Sequence, residues 1–120
     1  MPADPFVILY VEDDDLMREL MRELLATATR RIVAAADGAG ARAALREQRV
    51  DVLITDVNLP DDSGVEIALE ALRLNPALPV IVCSGYDATD IVRSLGPTAH
   101  ALRKPVDVGD IEALLERLAR

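Results

Sequence analysis

The chain has 120 residues, about half of them apolar, with a formal net charge of −8 at pH 7 and a pI near 4.5. That length supports one domain with a core of its own and no need for disulfides or structural metal. The acidic balance argues against binding nucleic acid or an anionic membrane through bulk electrostatics. No stretch approaches the length of a membrane span, and the N-terminus lacks a basic region followed by an apolar one. A lone cysteine inside an apolar run, with no partner for a disulfide, fits a cytoplasmic setting.

The aromatic residues are Phe6, Tyr10 and Tyr86 alone, so the core must be aliphatic. Residues 1–5 read as a short polar lead-in. Phe6 to Val11 (FVILYV) is an apolar run rich in strand formers that stops abruptly at Glu12-Asp13-Asp14-Asp15. Leu16 to Ala28 reads as a helix. Its Leu16, Met17, Leu20, Met21, Leu24 and Leu25 fall on one half of the cylinder, opposite Arg18, Glu19, Arg22 and Glu23. Asp14 or Asp15 can cap it. The apolar half is wider than one core-facing stripe needs, which suits either deep burial or a docking edge.

Arg31 to Ala36 reads as a second strand, broken by Asp37-Gly38, and Ala39 to Gln48 as an Ala/Arg helix. Val50 to Thr55 reads as a third strand, and from Val52 it opens as an unbroken apolar run, as a parallel strand covered on both faces reads. It ends in Asp56 and a turn set by Pro60, Asp61, Asp62, Ser63 and Gly64. Ser63 to Asn75 follows as a helix opened by Ser63-Gly64-Val65-Glu66, which has the spacing of a capping box. Leu78 to Cys83 is a fourth strand, followed by Ser84-Gly85-Tyr86. Asp87 to Leu95 is a short helix, and Ala99 to Arg103 a fifth strand running into Lys104-Pro105. Asp107 caps a last helix, Val108 to Ala119. Strand then helix, five times over with short loops, predicts an α/β fold: a (βα)5 flavodoxin-like, doubly wound sandwich whose five-stranded parallel sheet carries helices on both faces, as one domain over residues 1–120.

In such a sheet all strands end on one edge, so Glu12, Asp13, Asp56, Ser84-Gly85 and Lys104-Pro105 converge. Asp alone at a strand end is unremarkable, since it often ends strands and caps turns. Three carboxylates with a hydroxyl and an ammonium form a more specific set. The carboxylates repel unless a cation intervenes, and Mg²⁺ takes carboxylates, waters and phosphate oxygens in an octahedral array. Asp56 then has an oxygen able to attack phosphorus and form an acyl phosphate. Mg²⁺, Lys104 and the Ser84 hydroxyl would neutralise charge on the equatorial oxygens, and Gly85 would keep the approach open. Lys104 is the only lysine among 13 basic residues, and a compact point charge suits a phosphoryl oxygen. A cis bond before Pro105, a minority state for such bonds, would turn the lysine into the crevice. Cys83, inside an apolar run, reads as a buried reduced thiol, not a nucleophile. His100 reads as a surface or half-buried residue without a role.

Val11-Glu12-Asp13-Asp14, Asp56-Val57-Asn58-Leu59-Pro60 with Ser63-Gly64, Ser84-Gly85 and Lys104-Pro105 together resemble the response-regulator receiver domain, the CheY-like module of two-component signalling. The resemblance spans essentially the whole chain. It implies that Asp56 is the phosphoacceptor, that Asp13 holds Mg²⁺ directly and Glu12 through water, and that the Asn58 backbone carbonyl is a further ligand. It also implies that Ser84 and Lys104 contact the phosphoryl group, and that a histidine kinase or histidine phosphotransfer protein is the donor. Two departures stand out: Ala101 occupies the position of a usual aromatic switch, and Val106 follows Lys-Pro where Phe is usual. Ser84-Gly85-Tyr86 is similar to a Thr/Ser-Gly-Tyr subgroup of hybrid kinases and single-domain regulators, in which Tyr86 would take over signalling; an exposed loop tyrosine is the alternative. An aspartate-nucleophile phosphatase would need a second acid where Asn58 stands. A phosphate-independent interaction module would not need the intact acids, Ser84 and Lys104. No output segment is recognisable, which fits either a stand-alone regulator or a receiver from a larger kinase.

Overall fold

Five strands form one parallel sheet: β1 (Phe6–Val11), β2 (Arg30–Ala35), β3 (Val52–Asp56), β4 (Val80–Ser84) and β5 (Ala99–Arg103), in the order β2-β1-β3-β4-β5. The structure is a computed structural model that describes residues 4–118; the first three residues of the lead-in and Ala119, the expected end of the last helix, lie outside it. Helices α1 (Asp15–Leu25), α2 (Gly38–Glu47), α3 (Gly64–Leu74), α4 (Thr89–Leu95) and α5 (Val108–Leu118) alternate with the strands. The doubly wound (βα)5 expectation holds.

Side-chain alternation along the strands divides the core into two layers. Leu9, Val11, Leu53, Val80 and Val82 pack against α2, α3 and α4 through Ala41, Ala44, Ile67, Ala68, Ala71 and Leu95. Ile8, Tyr10, Val52, Ile54, Ile81 and Cys83 pack against α1 and α5 through Met21, Leu25, Ile111, Leu114 and Leu115. Every residue of β3 and β4 is buried, as strands covered on both faces require. Each fully buried Leu or Ile contributes about 1.5–3 kcal/mol, so a core nearly without aromatics suffices at this size.

Several boundaries and caps differ from expectation. Helix α1 ends at Leu25, because the Thr27 hydroxyl accepts from the backbone N–H groups of Thr29 and Arg30 and closes a turn. Strand β3 begins at Val52: the Asp51 carboxylate instead accepts from the Val7 N–H at 2.8 Å. Only the first half of the capping box forms. Ser63 Oγ accepts from Val65 N–H at 3.1 Å, but the Ser63 N–H donates to Asp62 Oδ1, leaving Glu66 no partner there. Asp14 caps α1 through Met17 N–H, and Asp107 accepts from Gly109 N–H at the start of α5. At the end of α4, Gly96 takes φ of 108°, a left-handed conformation that glycine adopts without cost. On α1 only Met21 and Leu25 are buried; Leu16, Leu20 and Leu24 are exposed, so the wide apolar half is not a deep-burial signal.

Candidate functional site

The order reverses after β1: β2 lies on one side of it and β3 on the other, which opens a crevice at the carboxyl ends of β1 and β3. Glu12 and Asp13 follow β1, and Asp56 is the last residue of β3. One carboxylate oxygen from each of the three lies within 4.8 Å of the others. Glu12 and Asp56 are buried, whereas Asp13 is exposed at the mouth. Three hard oxygens with an open side fit a hard divalent cation that keeps part of its water. Asp56 falls two residues after Ile54, so its side chain lies on the α1–α5 side of the sheet, while the Thr55 hydroxyl on the other side donates to the Asp56 carbonyl at 2.9 Å.

Lys104 joins the acids from the end of β5. Its Nζ is 3.0 Å from Asp56 Oδ1, its N–H donates to the Ser84 carbonyl at 2.8 Å, and the peptide bond to Pro105 is cis. Ser84 is buried at the end of β4, where its Oγ accepts from the Tyr86 N–H at 3.1 Å. A methyl group on Gly85 would meet no protein atom within 4 Å, so Gly85 borders open space and is not demanded by packing. Asn58 is exposed and pairs antiparallel with Ser63 at the base of the β3–α3 loop. The sequence-derived residues thus all lie at one sheet edge.

The electrostatics follow from this crowding. Burial, and then the adjoining Asp56 carboxylate, push Glu12 up to about 7. Burial alone would lower Lys104, but its ion pair with Asp56 and the charge of Glu12 outweigh this and raise it. Burial, reinforced by Asp56, pushes the Cys83 thiol up to about 12, which marks it as an inert core residue. His100 lies half-buried on β5, away from the crevice, and burial and then Arg117 lower its pKa.

A cleft of about 580 Å³ leads from Glu12, Asp13, Asp56 and Lys104 to the apolar Met17, Leu20 and Val106. Val106, where an aromatic was the usual expectation, lines this cleft; Ala101 is exposed on β5 and Tyr86 is half-exposed. Sequence reading missed two contributors. Gly64 was read as a turn and cap residue and as part of the Ser63-Gly64 motif, without a packing role, yet a Cβ there would collide with the Asp56 carbonyl oxygen, and its N–H donates to the Val57 carbonyl at 2.7 Å. Tyr10, read as a strand former, also lines the cleft. A glycine at the first turn of a helix, just after a functional loop, was the available signal for the first; nothing local marked the second.

The chain matches a family model for the response regulator receiver domain over residues 8–116. It is 34% identical to the probable transcriptional regulatory protein TcrX of Mycobacterium tuberculosis, a match covering 98% of this chain and 51% of that protein. Among solved structures, a CheY-like response regulator receiver domain protein from Methanospirillum hungatei superposes with a TM-score of 0.85 at 25% identity, covering 97% of this chain and 95% of that one. The chemotaxis response regulator CheY4 of Vibrio cholerae gives 0.82 at 27% identity, covering 95% and 98%. The chain spans about half or less of the length of the first curated relatives it matches, and no helix among the described residues is long and apolar enough to cross a membrane. With a family match along nearly its whole length and the same five-stranded architecture, the chain belongs to the response regulator receiver domains, the phosphoacceptor modules of two-component signalling.

Proposed function

We propose that Asp56 is the phosphoacceptor of this receiver and that Glu12, Asp13, Asp56 and the Asn58 backbone carbonyl hold Mg²⁺. The observation that carries this reading is the buried Asp56 carboxylate, 3.0 Å from Lys104 and grouped with Glu12 and Asp13 within 4.8 Å. When bound, Mg²⁺ supplies neutralisation of phosphoryl and carboxylate charge. The donor is a phosphohistidine of a histidine kinase or histidine phosphotransfer protein. An Asp56 carboxylate oxygen attacks phosphorus, the P–O bond of an acyl phosphate forms, and the P–N bond breaks with its electron pair returning to the imidazole, which leaves carrying a proton. Lys104 stays protonated and follows the new negative charge, and the Ser84 hydroxyl exchanges its bond to Tyr86 N–H for donation to a phosphoryl oxygen. Gly85, bordering open space, leaves that approach clear.

Beyond its own phosphorylation and dephosphorylation the chain catalyses nothing, and it acts in the cytoplasm on protein partners, without nucleic acid or membrane contact of its own. The phosphorylated form is read through the loops after β3, β4 and β5, with Tyr86 in place of the aromatic that Ala101 does not supply. The test is Mg²⁺-dependent labelling by acetyl phosphate or binding of beryllofluoride: the wild type is labelled once per chain and Asp56→Asn is not. Full labelling of Asp56→Asn sinks the assignment.

A further inference from the structure

The tip of the β3–α3 loop is tied to a helix more than twenty residues earlier in the chain. Asp61 sets both carboxylate oxygens against the start of α2, accepting from Gly38 N–H at 2.7 Å and from Ala39 N–H at 3.1 Å. The next donor, Gly40 N–H, is taken by the helix's own cap, Asp37, at 2.8 Å. Two of the first three free donors of α2 are therefore satisfied by another segment. Asp62 adds a second tie: its Oδ2 accepts from Arg42 at 2.5 Å while its Oδ1 accepts from Ser63 N–H at 2.7 Å, and Arg42 also bonds Glu70 on α3. The helix N-terminus favours the Asp61 charge, and both carboxyls are held below the usual carboxylate range, Asp61 first by the Gly38 N–H and Asp62 first by the Arg42 guanidinium.

The same loop begins at Asp56 and contains Asn58. At its base, Asn58 pairs with Ser63 and Leu59 N–H donates to the Asp62 carbonyl. With base and tip both fixed, the intervening backbone has little freedom. We infer that Asp61 and Asp62 are positioning residues, which pin the β3–α3 loop to α2 and so hold the Asn58 carbonyl beside Asp56 at the geometry a small divalent cation demands. This rests on the proposed Mg²⁺ site. Mg²⁺ tolerates little departure from octahedral geometry, so a loose carbonyl ligand weakens binding even where every carboxylate remains.

The test is Mg²⁺ affinity by titration calorimetry on the whole chain, with folding checked by circular dichroism. Asp61→Ala weakens Mg²⁺ binding about tenfold, the scale on which partners that orient metal ligands act. Asp37→Ala is the control: it removes a cap from the same helix end without touching the loop, and it leaves the affinity within about twofold. If Asp61→Ala does not fold, Asp61→Asn carries the test, since it can accept only one of the two bonds and weakens binding by a smaller but resolved factor. A folded Asp61 variant with wild-type affinity, or an equal loss in Asp37→Ala, overturns the inference and leaves the metal site standing. A wild type with no saturable Mg²⁺ binding overturns the site itself, and the inference with it.

Discussion

Lys104 Nζ lies 3.0 Å from Asp56 Oδ1, with the carboxylate buried and the ammonium partly open to solvent. Without a metal, this is the ion pair that balances the acids of the crevice, so the lysine and a divalent cation compete for the same negative charge. Lys104→Met is expected to tighten Mg²⁺ binding roughly tenfold, the scale of a unit charge a few ångströms away at the protein surface. Calorimetric titration reads this directly; weaker binding in the variant would show that Lys104 organises the site and does not compete for it.

Glu12 supplies the pH dependence. Burial and the neighbouring Asp56 raise it from 4.5 to about 7, so the folded metal-free chain binds this proton more tightly than the unfolded chain does. The contribution to stability is therefore full below pH 4.5 and is lost as pH rises through about 7. Mg²⁺ binding requires the ionised carboxylates, so apparent affinity rises with pH up to about 7 and then levels, and binding at about pH 6 releases a proton. Titrations in buffers of different ionisation enthalpy measure that proton; an affinity flat across this range would contradict the raised Glu12.

Gly64 permits the close approach of α3 to the end of β3. Because a Cβ there would collide with the Asp56 carbonyl oxygen, Gly64→Ala must displace the helix start or the strand end. A destabilisation of about 1–3 kcal/mol is expected in urea unfolding, together with weakened Mg²⁺ binding. Gly85→Ala, where the methyl meets open space, should leave stability nearly unchanged.

The two edges of α1 predict opposite outcomes for adjacent residues. Met21 is buried and Leu20 is 47% exposed. Met21→Ala should cost about 2–5 kcal/mol, whereas Leu20→Lys should stay within about 0.5 kcal/mol of wild type. Denaturant midpoints decide between them.

Element order was legible because its signals are local: apolar runs such as Phe6 to Val11 and Val80 to Cys83, each stopped by acids or by a turn. Those signals suffice to bring Glu12, Asp13, Asp56, Ser84 and Lys104 to one edge. Features that depend on distant segments were hidden. Ser63 and Glu66 have capping-box spacing, but Asp62 takes the Ser63 N–H. Asp61 looks like a turn residue, yet it caps a helix 22 positions away. Leu16, Leu20 and Leu24 fall on the apolar half of α1, but only Met21 and Leu25 of that half are buried in the core. Periodicity shows which residues share a face, not how much of that face a neighbour covers.

The scarcity of aromatic residues gives the molecule a built-in optical probe. The chain has no Trp and only two Tyr, and both flank the acidic crevice: Tyr10 lines its cleft and Tyr86 follows Ser84 and Gly85. Tyrosine emission from this protein therefore arises next to the reacting groups, so cation binding and phosphorylation can be followed without a label. Tyr86→Phe leaves Tyr10 as the sole emitter and separates events inside the cleft from events in the β4–α4 loop.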